Sequence, residues 1–191
     1  MGLLFLSVMM RKREKKMKLY HTSDRIIEKP DIHYGRKNAD FGQGFYLTPD
    51  REFTLRWAGK DAIVNTYELD ETGLRIHRFE RSLEWYRYLF MNRRRMDTLD
   101  ADVIIGPIAN DTIFDTMGII SSGFLNEEEA LKLLRIGPEY IQAAVKTERA
   151  AAQLHFLGSK KINRLDETSR RKEEEAYQNE FSAVMMEISE E

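Results

Sequence analysis

The sequence contains no cysteine and only four histidines. The lack of cysteine excludes disulfide bonds, thiol catalysis and cysteine-based zinc sites, although it says little about the compartment in which the protein works. The histidines, at positions 21, 33, 77 and 155, do not have the close spacing of a metal-binding helix. We therefore expect no metal site.

A strong charge imbalance is also missing, since the formal net charge is -2. Overall charge therefore does not indicate a nucleic acid as a partner. The only long apolar run, residues 1–10, is too short to cross a bilayer, and its basic cluster, residues 11–16, follows the run instead of preceding it as in a secretory signal. We expect a cytoplasmic protein with an N-terminal extension over residues 1–16, translation starting at either Met1 or Met17.

The length of 191 residues, with 42% hydrophobic and 32% charged residues, is typical of one globular domain with an appended segment. We place the domain at residues 17–158 and a charged amphipathic helix at residues 159–191. An apolar stripe on this helix predicts packing on its own domain or on a protein partner; its members are Tyr177, Phe181, Val184, Met185 and Ile188.

The stretch from Asp40 to Pro49, Asp-Phe-Gly-Gln-Gly-Phe-Tyr-Leu-Thr-Pro, is the most informative in the chain. Gly42 and Gly44 predict a tight turn that brings the main chain close to another group. A short strand over residues 45–47 follows, and Thr48 is expected to cap a helix over residues 49–59. The simpler interpretation is a glycine-containing hairpin that leads into a core strand.

The remaining pattern predicts an α+β protein. Residues 24–40 read as a long loop, and residues 101–105 as a buried strand or a short apolar loop. The segment 74–79 is expected to pair with the strand at 62–69 through a turn at 70–73. Further strands are predicted at 18–21 and 139–146, and helices at 82–95, 112–118, 127–135 (capped by Asn126) and 148–157.

Three segments occur in the order used by one superfamily: Leu-Tyr-His-Thr-Ser at 19–23, Gly-Gln-Gly-Phe-Tyr at 42–46 and Glu-Tyr-Ile-Gln at 139–142. They resemble the motifs of ADP-ribosyltransferases of the His-Tyr-Glu class, to which diphtheria toxin and the poly(ADP-ribose) polymerases belong. The resemblance is closest to an uncharacterised bacterial family of that superfamily and covers residues 18–157. It implies a split, largely antiparallel β-core with flanking helices and a cleft between two sheets.

The resemblance also implies an NAD site. His21 would bond the adenosine ribose, the backbone at Thr22 and the hydroxyl of Ser23 would meet the nicotinamide amide, and Tyr46 would stack on the nicotinamide ring beside Gly44. In the polymerases a hydroxyl and an aromatic residue follow the tyrosine by eight and eleven positions, and these positions hold Thr54 and Trp57. Taken singly, His21 could be a structural histidine, and Tyr46 and Trp57 could be core aromatics.

The third motif leaves three candidates for the residue that contacts the nicotinamide ribose: Gln142, Glu139 and Glu148. Gln142 stands where the related bacterial sequences have a glutamine at the start of the strand, and Glu139 begins a Glu-Tyr-Ile segment like that of the polymerases. Glu148 follows the helix cap Thr147, where an acidic residue is also the structural preference. A glutamine can bond a ribose hydroxyl but cannot act as a general base. For Asp40, Arg36 and Lys37 we favour a solvated loop over contact with a pyrophosphate.

These motifs suggest that NAD is a substrate from which one ADP-ribose is transferred to a macromolecule, or which is hydrolysed. The superfamily supplies many bacterial toxins, so the toxic half of a toxin-antitoxin pair is a further hypothesis. The alternative is a non-catalytic NAD-binding or protein-interaction module, since the catalytic carboxylate is uncertain.

Overall fold

The computed structural model describes residues 15–59, 61–109, 123–162 and 167–190, with only the backbone at residues 56, 57 and 167–170. Its strands are β1 (Lys16–Ser23), β2 (Phe45–Leu47), β3 (Ile63–Asp70), β4 (Ile76–Arg78), β5 (Val103–Pro107), β6 (Ile141–Val145) and β7 (Leu154–Lys161). Its helices are α1 (Thr54–Trp57), α2 (Leu83–Arg93), α3 (Glu127–Leu134), α4 (Glu148–Ala152) and α5 (Glu167–Glu190). The α+β prediction is confirmed. The helix predicted at 112–118 lies outside the described residues.

The strands form two sheets. An antiparallel sheet has the order β1-β3-β7, and a second sheet has the order β2-β6-β5-β4, in which only β4 and β5 are parallel. An isolated bridge between Tyr20 and Thr48 links β1 to the end of β2. This bridge sets the residue after Tyr20, His21, beside the chain that leaves the glycine turn.

The predicted hairpin between residues 62–69 and 74–79 is wrong. Both edges of β3 are occupied, by β1 and by β7, so β4 has no edge of β3 to join. It pairs instead with β5. The residues before the two strands are held together by two hydrogen bonds: the Asp102 amide donates to the Arg75 carbonyl, and the Asp102 side chain accepts the Arg75 amide. Sequence proximity favoured the hairpin, but the longer-range pairing of β7 excludes it.

Two helix predictions were too long. The Thr48 hydroxyl donates to the Ile141 carbonyl at 2.8 Å and accepts the Asp50 amide at 3.1 Å, so it fixes a turn against β6 and α1 begins only at Thr54. Similarly, α4 ends at Ala152, and the following residues form β7 on β3 where a helix was predicted to reach residue 157. In both places tertiary pairing overrides local helix preference.

The four-stranded sheet is buried on both faces. On β5, Val103 and Ile105 face a core shared with the three-stranded sheet, while Ile104 faces a core shared with α2 and α3. Ala143 and Ala144 of β6 divide in the same way. This placement follows from the alternation of side chains along a strand and explains why these segments are apolar at most positions, Gln142 being the exception.

The apolar stripe of α5 packs on its own chain. Tyr177, Phe181 and Ile188 are buried against Leu133 and Ile136, at the end of α3. The capping of α3 was predicted correctly, since Asn126 accepts the amides of residues 128 and 129. None of the helices in the described ranges is long and apolar enough to cross a membrane.

Candidate functional site

A cavity of about 930 Å³ opens where β1 ends, beside β2 and the N-terminal end of β6. The loop from residue 24 to residue 44, which contains no helix or strand, forms much of its wall. The predicted site residues that line the cavity are His21, Ser23, Gly44, Tyr46 and Gln142. Residues from three segments far apart in the sequence thus line one cavity.

His21 is held in one tautomer. Its Nδ1 lies 2.7 Å from the backbone oxygen of Tyr46, and because a carbonyl only accepts, Nδ1 carries the proton. Burial lowers the pKa of His21, and this effect exceeds the opposing one of the bond to Tyr46. The imidazole is therefore neutral near pH 7, and Nε2 is a hydrogen-bond acceptor.

Tyr46 uses its hydroxyl to close the glycine turn. The phenol donates to the Gly42 carbonyl at 2.7 Å and accepts the Phe41 amide at 2.9 Å. Burial, with the nearby Asp40 charge, raises its pKa far above the ordinary value, so it stays protonated and cannot serve as a base. Tyr46 also lines the cavity.

The glycine turn is packed tightly against its own chain. A Cβ atom built on Gly35 would lie 2.3 Å from the Gly44 carbonyl oxygen, and one on Gly44 would lie 2.7 Å from the Val145 carbonyl oxygen. Gly42 has φ of 75°, a value that favours glycine, whereas Gly44 is needed for space. The close approach predicted for this turn is therefore an approach to protein backbone.

Asp40 and Gln142 meet in the cavity wall, and Arg93 of α2 joins them. The Gln142 Nε2 lies 2.9 Å from Asp40 Oδ2, and Arg93 binds Asp40 Oδ1 through Nε at 3.0 Å and Nη2 at 2.6 Å. The side chain of Asp40 is only 14% exposed. The expectation that Asp40 lies in a solvated loop is thus wrong, because the ion pair with Arg93 draws it into the wall. Arg36 lines the cavity.

The two glutamates considered for the third motif do not line the cavity. Glu139 precedes β6, is half exposed, and lies 3.8 Å from Arg81 Nε. Glu148 is exposed at the start of α4, with its carboxylate 3.2 Å from His33 Nε2. Of the three candidates, the structure brings only Gln142 to the cavity.

The hydroxyl groups of Thr22 and Thr54 are both engaged with protein backbone, the first between β1 and α1 and the second at the start of α1. Thr22 Oγ1 donates to the Thr54 carbonyl at 3.1 Å, and the buried Thr54 hydroxyl donates to the Arg51 carbonyl. Neither residue is part of the cavity lining. Trp57 ends α1, and its side chain lies outside the described part of the chain.

The contribution of α2 to the site was missed from the sequence. Arg93 stands 53 residues from Asp40, and its helix was assigned only to packing. A cation at the carboxyl end of a helix is the ordinary preference of the helix dipole, so nothing local marked Arg93 as a site residue. Arg25, with its guanidinium 5.6 Å from the Tyr34 ring, was also missed at the rim of the cavity.

Comparison with protein families gives a match over most of the chain. The family described as "Protein of unknown function (DUF3990)" matches residues 17–156, a span that contains His21, Tyr46 and Gln142. No curated protein and no solved structure matches the chain.

Proposed function

The chain belongs to the DUF3990 family, whose function is unknown, and we propose that its cavity binds NAD and uses it as an ADP-ribosyl donor. The observation that carries the proposal is the neutral His21, whose Nε2 is available as an acceptor in the same cavity that Tyr46 lines. An acceptor for a ribose hydroxyl and an aromatic residue in one cavity suit a dinucleotide that carries a ribose and a flat ring at each end.

The size of the cavity and two arginines in its lining support a dinucleotide. Its volume of about 930 Å³ is near the upper end of the range of about 300–1,000 Å³ for ligand cavities. Arg25 and Arg36 line it and can attract a pyrophosphate. The two sheets, largely antiparallel and joined at Tyr20 and Thr48, are also compatible with the split β-core of the ADP-ribosyltransferases, which forms part of this proposal.

In the proposed reaction, the bond between nicotinamide and C1′ of the ribose breaks, and nicotinamide leaves with the bonding electrons. An oxygen or nitrogen of the acceptor, which is a macromolecule or water, forms the new bond to C1′ and releases its proton to bulk water. Positive charge develops on the ribose in the transition state. The oxygen of Gln142 can stabilise this charge by accepting a hydrogen bond from a ribose hydroxyl. A glutamine cannot remove a proton from the acceptor, so slow turnover is expected.

The second candidate is a protein that binds NAD without consuming it. The specific observation in its favour is that Gln142 is an amide, while the neighbouring carboxylate of Asp40 is already bound by Arg93. Release of nicotinamide from the NAD complex distinguishes the two, since only the enzyme produces it.

Replacing His21 with alanine is expected to weaken NAD binding about tenfold or more, because a ribose hydroxyl loses its acceptor and Tyr46 loses a contact that orients its backbone. His155→Ala is the matched control, since His155 is an exposed histidine of the same sheet and lies outside the cavity. Titration calorimetry gives both affinities. Equal affinities for the two variants would remove His21 from the site.

A further inference from the structure

The side chain of Gln142 is fixed in one orientation by its partners. Its Nε2 lies 2.9 Å from the Asp40 carboxylate and 3.5 Å from the Pro107 carbonyl oxygen. Both partners can only accept hydrogen bonds, so the nitrogen and not the oxygen must face them. A flipped amide would set its oxygen against a carboxylate, which is repulsive. The oxygen of Gln142 is therefore turned away from Asp40.

This oxygen is available to a ligand. Gln142 lines the cavity, and within the described ranges no protein group donates to Oε1. The amide is otherwise buried, with 4% of the residue exposed. A buried acceptor that faces a cavity favours a hydrogen-bond donor in the ligand.

Asp40 is itself held in place by a residue of helix α2. Arg93, the last residue of α2, binds Oδ1 with two nitrogens, and the Ala109 amide lies 3.4 Å from Oδ2. The ion pair is largely buried, since the two side chains are 19% and 14% exposed. The guanidinium of Arg93 occupies Oδ1, so Oδ2 is the oxygen that accepts from Gln142 and from the Ala109 amide.

We propose that Asp40 and Arg93 are positioning residues that fix Gln142 as a hydrogen-bond acceptor for a hydroxyl group of the ligand. This inference rests on the proposed function for the identity of that group, which would be a ribose hydroxyl of NAD. The Asp40 charge is balanced by Arg93, so the group that this part of the wall offers to a ligand is the oxygen of Gln142. The arrangement thus favours a hydrogen-bond donor at one defined point of the cavity.

The arrangement makes the two side chains interdependent. Gln142→Glu alone would set two carboxylates within hydrogen-bond distance, and their repulsion would displace the chain or force one of them to take up a proton. Asp40→Asn alone removes the charge that fixes the amide. When both are changed, the new amide at position 40 can donate to the new carboxylate at position 142, with the same side-chain sizes and the same total charge.

The test is a double-mutant cycle with wild type, Asp40→Asn, Gln142→Glu and the variant with both changes. Each single change is expected to weaken NAD binding about tenfold, and the double variant is expected to bind at least about tenfold better than the two losses combined would give. Asp24→Asn is the matched control, because Asp24 lines the cavity but is 88% exposed, and its effect should simply add to that of Gln142→Glu. Additive losses for Asp40 and Gln142 would overturn the proposal.

A second readout needs no ligand. The coupling between positions 40 and 142 should also appear in denaturant unfolding, and the Nε2 protons of Gln142 should exchange slowly in the NMR spectrum of the wild type but not of Asp40→Asn. Coupling without NAD binding in any variant would refute the proposed function and leave the positioning network standing. NAD binding without coupling would refute the positioning network alone, and the absence of both would refute both.

Discussion

Replacing Asp102 with alanine is expected to lower the free energy of unfolding by about 2–4 kcal/mol. Asp102 is 2% exposed and accepts hydrogen bonds from the Arg75 backbone and guanidinium, from Thr147 at 2.9 Å and from Arg149 at 2.7 Å. These bonds join the start of β4, β5 and α4. The arginine side chains are half exposed and can be hydrated again, which keeps the loss below that of a fully buried ion pair.

Asp100 provides the control for this prediction. It binds the same Arg75 but is 86% exposed, so Asp100→Ala is expected to change the free energy of unfolding by only about 0–0.5 kcal/mol. Denaturant unfolding of the two variants measures the difference. Equal losses would show that burial of the carboxylate does not determine its contribution.

The contribution of Asp102 is also expected to depend on pH. Burial alone would raise the pKa of Asp102, but hydrogen bonds from Arg75, Thr147 and Arg149 outweigh it and hold the pKa well below its usual range. A depressed pKa in the folded state contributes stability above the unfolded value, about 3.9, which is lost as the pH falls through the folded value. The difference between wild type and Asp102→Ala should therefore shrink below about pH 4.

Gly35→Ala is expected to destabilise the protein by about 3 kcal/mol or more and to abolish NAD binding. Its Cβ would lie 2.3 Å from the Gly44 carbonyl oxygen, a backbone atom that can move only if the glycine turn moves. Displacement of that turn would carry Tyr46 with it, because the Tyr46 hydroxyl is bonded to Phe41 and Gly42. The conformation of the loop and the shape of the cavity would then be lost together.

Gly59→Ala is the matched control for the glycine prediction. A Cβ at Gly59 meets no atom of the described structure within 4 Å, and this residue does not have a positive φ. The change is expected to leave the free energy of unfolding within about 0.5 kcal/mol of wild type, as surface substitutions usually do. A Gly35→Ala protein as stable as Gly59→Ala would show that the turn does not need its close backbone contact.

The parts of the fold that depend on residues close together in the sequence were predicted correctly. The Asn126 cap, the strand after the glycine turn and the loop before it could be found because glycine, asparagine and alternating apolar residues act within a few positions. The partner of β4 could not be found, because it depends on β7 occupying an edge of β3 from more than 75 residues further along the chain.

Some residues of the candidate site could be found from the sequence, whereas the environment of Asp40 could not. His21, Tyr46 and Gln142 were found by their order and spacing, and they line one cavity. Asp40 was assigned to a solvated loop because loop carboxylates usually are solvated, and its actual environment is set by Arg93 and Gln142, 53 and 102 residues away. A single sequence holds no signal for a contact of that kind.

The most direct test of the proposed function is a calorimetric titration of the full chain with NAD, with free nicotinamide measured in the same samples. Saturable binding of one NAD per chain is expected, lost in Gly35→Ala and kept in Gly59→Ala, with slow release of nicotinamide if the protein is an enzyme. Absence of any binding heat at millimolar NAD, from protein that is shown to be folded, would contradict the assignment of this cavity to NAD.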